Sequence, residues 1–333
     1  MTFKSSFLEK YKLNSKSPKY IKMLNACEKV AKSKANILLL GESGSGKEIA
    51  AKYIHACSNR KNKKFVAINC SSYVSSLLES ELFGYEPGAF TGANKSKAGK
   101  IETSNQGTLF LDEIGDIDLP TQIKLLRVLE SKSISRIGSN IENLVDFRLL
   151  SATNRNLIQA VQDKEYREDF LYRVSTIVIE VPPLRERSED LEDLINFFLK
   201  SSQEENNITI KSISKEAHNF LYEYDYPGNI RELKSIIDRM VVLSEDGVIT
   251  KDGIPIIKSI KRPLIDSDDT KYSPSKEKFS KIIPFKEYQR LCEKDYLIWV
   301  LEKCGWNVTK ASKELQISSR QLFNKINLYN IRR

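Results

Sequence analysis

Short apolar runs punctuate this chain, and the stretches between them repeat apolar residues at helical spacing. The runs lie at 36–40, 65–68, 108–111, 147–152 and 176–181. Each is bounded by turn or helical sequence and is strand-like in length. Strands alternating with helices predict an α/β fold, a mostly parallel sheet covered on both faces. Residues 1–35 predict a short entry and a helix, with Ser17 placed to cap it before Pro18. A glycine-rich turn, Gly41 to Gly46, stops the first strand, and a helix runs from Lys47 to about Ala56.

The rhythm changes after Pro182-Pro183. Residues 188–244 carry helical periodicity with no clear strand, which predicts a small all-helical domain. Residues 259–283 are polar, hold two prolines and lack sustained periodicity, so they predict a flexible linker. Helical pattern returns at 284–333. A helix opens at Val308-Thr309 and reaches Leu315, Gln316-Ile317-Ser318 turns, and a second helix covers 319–326 with Leu322 and Ile326 inward. That is a helix-turn-helix, whose second helix enters the major groove of DNA. Leu291, Ile298 and Leu301 lie on a long preceding helix suited to pairing two subunits.

Composition narrows the function classes. With 40% hydrophobic residues, the 333-residue chain has material for a sizeable core and about two domains. No apolar run approaches a membrane span, and MTFKSSFLEKYK has no secretory core, so the expected location is the cytoplasm. Five cysteines without a CxxC pair, and only two histidines, argue against a zinc site. The 53 Lys and Arg exceed the 44 Asp and Glu by nine, and residues 281–333 alone, with 11 against five, supply six of that excess. The helix-turn-helix is therefore also the basic end of the chain, as a duplex DNA partner requires.

Three motifs carry the chemistry. Gly41-Glu42-Ser43-Gly44-Ser45-Gly46-Lys47-Glu48 has the spacing of a phosphate-binding loop between a strand and a helix. Its glycines let successive N–H groups face one anion, and Lys47 would reach the β and γ phosphates of ATP. Glu48 occupies the place where the general motif has a Mg²⁺-binding hydroxyl. Asp112 and Glu113 end an apolar strand, where Asp112 would hold Mg²⁺ and Glu113 would polarise the attacking water. Gly88-Ala89-Phe90-Thr91-Gly92-Ala93 combines an apolar tip with small residues suited to a mobile, close-approaching loop.

Taken together these motifs resemble the bacterial enhancer-binding proteins, AAA+ ATPases that activate RNA polymerase carrying sigma-54. The resemblance covers about residues 14–245 and resumes at the C-terminus. It implies a nucleotide-binding domain at 14–181 after a tail at 1–13, a helical lid at 182–258 and a Fis-type DNA-binding domain at 284–333. It also implies a homo-oligomeric ring, usually a hexamer, with ATP held between subunits. By resemblance, Asn69 restrains the catalytic Glu113, Gly88 to Ala93 touch sigma-54, and Arg136-Ile137-Gly138 begin a second pore-facing loop. Thr153 and Asn154 form the first nucleotide sensor, Arg167 and Arg173 are arginine fingers acting across a subunit boundary, and Arg231 is the second sensor. A helix salt bridge from Arg167 or Arg173 to Glu168 or Asp169 is the ordinary alternative. Tyr226 stands where the family usually has Trp, and Ala311 packs in the first helix of the DNA-binding pair. Ser319, Arg320, Gln321, Asn324 and Lys325 are the candidate DNA contacts. No receiver domain is expected in the short tail, which suggests the phage-shock type of activator, restrained by a separate protein. An AAA+ loader of replication type, and a repressor with an inert ATPase core, remain the alternatives.

Overall fold

The computed structural model describes residues 15–250, 253, 285–315, 317–329 and 331, with backbone alone at 285–292, 295 and 327. The tail at 1–13, the linker at 259–283, Gln316 and the side chain of Leu291 lie outside the described residues. The chain divides into two compact units, Met1–Ile256 and Ile257–Arg333.

In the first unit, α1 (Pro18–Ala31) leads to β1 (Ile37–Leu40), α2 (Lys47–Ala56), β2 (Phe65–Asn69) and α3 (Ser75–Phe83). A small antiparallel pair, β3 (Gly84–Tyr85) and β4 (Lys97–Ala98), precedes α4 (Lys100–Thr103) and β5 (Thr108–Asp112). Then come α5 (Leu119–Ser131), a hairpin of β6 (Ser133–Ser135) and β7 (Glu142–Leu144), and β8 (Arg148–Thr153). The last elements before the lid are α6 (Leu157–Gln162), α7 (Glu168–Val174) and β9 (Ile177–Glu180).

All five long strands join one parallel sheet, in the order β2-β5-β8-β1-β9. Alternate side chains enter opposite layers. Leu38, Leu109, Leu111 and Leu149 pack with Leu82, Leu125 and Phe170 on one face. Leu39, Phe110, Leu150 and Ala152 pack with Tyr20, Cys27 and Ile54 on the other. Both faces are apolar, which is why the strands read as unbroken runs in the sequence. α1 starts at Pro18 as expected, but the Ser17 hydroxyl caps nothing and is buried without a partner among the described residues. The entry is instead fastened by Asp190, which accepts from the Ser15 hydroxyl at 2.6 Å and the Lys16 N–H at 2.7 Å.

The lid contains α8 (Leu191–Asn206), α9 (Lys215–Glu223) and α10 (Asn229–Val242), packed through Leu194, Leu221, Leu233, Ile237 and Met240. It is not purely helical: β10 (Ser212–Ile213) pairs in parallel with β11 (Val248–Ile249). Strands of two residues leave no periodicity for the sequence to display.

The second unit has α11 (Phe285–Lys303), α12 (Val308–Glu314) and α13 (Ser319–Leu328) around Leu297, Val300, Leu301, Ala311 and Leu322. Leu301 is fully buried in this core, so it is not available to pair two subunits, contrary to expectation. Among the described side chains, Tyr296 and Trp299, each half exposed and stacked at 6.0 Å, are aromatic residues that α11 presents outward. Among the described residues no helix is long and apolar enough to cross a membrane.

Candidate functional site

β1 ends at Leu40, and the chain curls through Gly41 to Gly46 into α2 at the carboxyl end of the parallel strands. In such sheets this end is the one that binds ligands. Gly44 has φ +75°, and a Cβ there would lie 2.3 Å from the Gly228 carbonyl of the lid, so only glycine fits. Lys47 is buried, and its Nζ donates to the carbonyls of Gly41 at 3.0 Å and Glu42 at 3.3 Å. The loop thus wraps its own ammonium at a helix N-terminus, an arrangement that suits a phosphate.

β5 brings the two carboxylates to the same place. Glu113 adopts a left-handed backbone, φ 52°, which costs a non-glycine residue roughly 1–2 kcal/mol. Its Oε1 lies 3.4 Å from Lys47 Nζ, and its Oε2 accepts the Asn154 N–H at 3.2 Å. Asp112 is partly buried, and that burial, followed by the negative charge of Glu113, raises its pKa above the ordinary value, with Lys47 opposing. A carboxylate whose charge is disfavoured in this way fits a divalent cation, which would stabilise its ionised form. Among the described residues no three His, Cys, Asp or Glu form a metal cage. Glu48 is turned away, paired with Lys52 one turn along α2 at 2.7 Å.

The predicted sensors divide. Thr153 is fully buried at the end of β8, where its hydroxyl accepts the Arg155 N–H, so the exposed Asn154 is the member that faces the carboxylate. Asn69 lies beside Asp112 in strand register, yet its Oδ1 accepts from the N–H and hydroxyl of Ser71. It makes no hydrogen bond to Glu113 among the described residues. Arg167 grips Asp169 with two bonds of 3.0 and 2.6 Å, the ordinary helix salt bridge. Arg173, at the other end of α7, donates to the Leu129 carbonyl at 2.9 Å. Neither arginine bonds to the nucleotide loop of its own subunit among the described residues.

The lid closes over the loop through more residues than Arg231. Arg231 donates to the Ser43 hydroxyl at 2.8 Å, and the Ile230 N–H to the Gly44 carbonyl at 3.1 Å. Glu42 receives both guanidinium nitrogens of Arg185, at 2.8 and 2.6 Å, and the Asn229 amide at 3.0 Å. Arg187, buried over the Tyr20 ring, donates to the Ser45 carbonyl at 3.0 Å. Arg185, Arg187 and Asn229 carry no motif of their own in the sequence; the first two stand at the start of the lid and Asn229 opens α10. Tyr226 is buried in place of the usual Trp, with its hydroxyl donated to the Leu221 carbonyl at 2.6 Å. A cleft of about 670 Å³ leads from Gly41 and Glu42 past Asn154 and Pro182 to Lys19, within the range of small-molecule sites.

The segment Gly88–Ala93 is a surface loop between β3 and β4. The Gly88 N–H donates to the Ala93 carbonyl at 2.9 Å, and Ala93 is buried at the base. Phe90 is 46% exposed, resting edge-on against Tyr85 at 4.9 Å, while Thr91 is open to solvent. Arg136, on the β6–β7 insertion, holds Glu86 at 3.0 Å and Glu102 at 2.7 and 2.9 Å. The second predicted loop is thereby fastened to the base of the first.

In the second unit, α13 begins with reciprocal capping: the Gln321 N–H donates to the Ser318 hydroxyl, and Gln321 Oε1 accepts the Ser318 N–H. Ser319 shares a hydrogen bond with Ser312 at 3.0 Å. Lys325 is turned back onto Glu293 of α11, which also receives Tyr329. Of the five predicted DNA contacts, Arg320 and Asn324 are the two that are exposed and unbonded among the described residues.

Comparison with known proteins adds three matches. Residues 13–180 match the Sigma-54 interaction domain, residues 185–261 the AAA+ ATPase lid domain, and residues 289–329 the bacterial regulatory protein, Fis family. The transcriptional regulatory protein ZraR of Escherichia coli K12 is 41% identical over 312 residues, 93% of this chain and 67% of that protein. The regulatory protein AtoC of the same organism is 40% identical over 312 residues, 93% of this chain and 66% of its own length. The crystal structure of NtrX from Brucella abortus in complex with ADP superposes with a TM-score of 0.67 at 30% identity, covering 95% of this chain and 68% of that one. NtrX has also been solved with ATP. The chain spans about two thirds of the length of these relatives.

Proposed function

The chain belongs to the sigma-54 interaction family of AAA+ ATPases with a Fis-type helix-turn-helix, and on that premise we propose that it spends ATP to remodel sigma-54 polymerase from closed to open complex. It would act from upstream DNA held by α13, as a ring, usually of six, that completes each ATP site with a neighbour's arginines. Bound Mg²⁺, held by Asp112, would neutralise phosphate charge. Lys47 would leave Glu113 for the phosphates, which frees the carboxylate to orient a water. Asn154 holds the other oxygen of that carboxylate, and Arg231 reaches the loop from the lid.

The observation that carries this reading is the Gly88–Ala93 loop. Phe90 and Thr91 are exposed and share no hydrogen bond or ring contact with the nucleotide loop among the described residues, which supports a contact surface apart from the ATP site. A loader or an inert repressor has no need of such a tip. The test is open-complex formation by sigma-54 polymerase on a closed promoter. Opening that requires this protein and hydrolysable ATP is the expected result; efficient ATPase activity without opening would overturn the proposal.

A further inference from the structure

The end of the sheet opposite the nucleotide loop carries positive charge that ATP hydrolysis does not use. Lys29, Lys32 and Lys34 close α1 and lead into β1, and Arg60, Lys61, Lys63 and Lys64 lead into β2. Neither 29–36 nor 57–64 contains an acidic residue. Residues 1–280 carry a net +3, so without these seven cations they would stand at −4.

The fold gathers the two segments. Arg148, at the start of β8, donates to the carbonyls of Ala31 and Val30 and so pins the end of α1 to the sheet. Arg60 donates to the Gly107 and Asp146 carbonyls and to the Asp146 carboxylate at 2.7 Å. Asp146, an acid at this edge, is thus already matched. Burial, then Arg60, holds Arg148 down to about 10, as expected where cations crowd. All six lysines are exposed.

The same edge carries the Gly88–Ala93 insertion. α4 runs from that insertion to the turn at Ser104–Gly107, and a Cβ on Gly107 would touch the carbonyls of Lys64 at 2.3 Å and Ser104 at 3.1 Å. Glu102 on α4 is in turn joined by Arg136 to Glu86 at the loop's base.

We propose that this lysine edge is a second DNA contact, holding the phosphate backbone of a duplex without reading its sequence. Exposed ammonium groups on flexible stems suit phosphates more than base edges. The two segments hold no aromatic residue, whereas single strands are gripped by stacking. They also present no exposed large apolar side chain, which the buried centre of a protein interface needs. Duplex fits best, and its place beside the sigma-54 loop would put DNA against the face that works on polymerase.

The test uses the full chain, with Arg320→Ala and Asn324→Ala to silence the recognition helix. Onto it are placed either Lys61→Gln, Lys63→Gln and Lys64→Gln, or Lys29→Gln, Lys32→Gln and Lys34→Gln. Binding to a random-sequence duplex is followed against salt concentration. Each triple variant should lower the slope of log affinity on log salt by about 2–3, at roughly 0.9 per phosphate lost, and weaken low-salt binding about tenfold. ATPase activity should be unchanged, and Lys→Arg versions should bind like the parent. An unchanged slope in both triple variants would overturn the proposal. So would lost binding to polymerase off DNA with the duplex slope intact, which would make the edge a protein contact.

Discussion

Glu113 Oε1 and Lys47 Nζ stand 3.4 Å apart, so the carboxylate proposed to orient water and the ammonium proposed to meet phosphate pair with each other. Nucleotide binding has to exchange this ion pair for Lys47 on phosphate. Glu113→Gln should therefore bind ATP at least as well as the parent, while turnover falls by about 10²–10⁴-fold, the usual range for a lost general base. Lys47→Ala should lose binding itself. Equilibrium binding with single-turnover hydrolysis separates the two, and normal turnover in Glu113→Gln would remove it from catalysis.

Asp112 yields a prediction in pH. Its folded pKa is raised, first by burial and then by Glu113. The native state thus holds the proton longer than the unfolded chain does. Stability falls as pH rises from the ordinary carboxylate range through the raised value, and the deficit persists above it. Asp112→Asn should raise the melting temperature of the nucleotide-free protein at neutral pH, with the gain vanishing in acid, and should abolish Mg²⁺-dependent hydrolysis. A lower melting temperature at neutral pH would show that the carboxylate stabilises the fold.

The loop and the ATP site should separate by mutation. Phe90→Ala and Thr91→Ala ought to keep ATPase activity within about twofold while open-complex formation is lost, because neither touches the phosphate loop. Parallel decline of both activities would make the loop structural.

Arg173 should act on a neighbour. Mixing Arg173→Ala with Lys47→Ala subunits should restore some hydrolysis, since one interface then holds an intact loop and an intact arginine. No rescue at any ratio in demonstrated mixed assemblies would count against a shared site. Asp169→Asn, which frees the exposed Arg167, should leave the melting temperature nearly unchanged, because an exposed ion pair is screened by water.

On DNA, Arg320→Ala or Asn324→Ala should cost about 1–3 kcal/mol at the specific site and less on random duplex, if either reads a base. Ser318→Ala, which removes the hydroxyl that caps α13, should instead lower the stability of the module by about 0.5–2 kcal/mol. Equal losses on both duplexes would leave Arg320 or Asn324 a phosphate contact.

How much of this was legible depended on whether a role is local. Gly44, Lys47, Asp112 and Glu113 are fixed by loop and strand-end chemistry within a few residues, so spacing revealed them. Arg185 and Asn229 meet Glu42 across more than 140 positions, and no local pattern encodes that meeting. Leu301 failed for a related reason. Helical periodicity shows that a stripe is apolar but not what covers it, and here α12 and α13 of the same chain do. Lys325 stands on the recognition helix, and its pairing with Glu293, 32 residues away, is another meeting that no local pattern encodes.

The lid's grip on Glu42 and Ser43 has a thermodynamic corollary. Whatever affinity the nucleotide gains from a closed lid, the closed lid must gain in population from the nucleotide, by reciprocity. A substitution at Arg185 or Asn229, which hold Glu42 from the lid side, should thus appear as a change in how long ADP resides. The tempo of the cycle would then be set as much by these lid contacts as by the carboxylate proposed to orient the water.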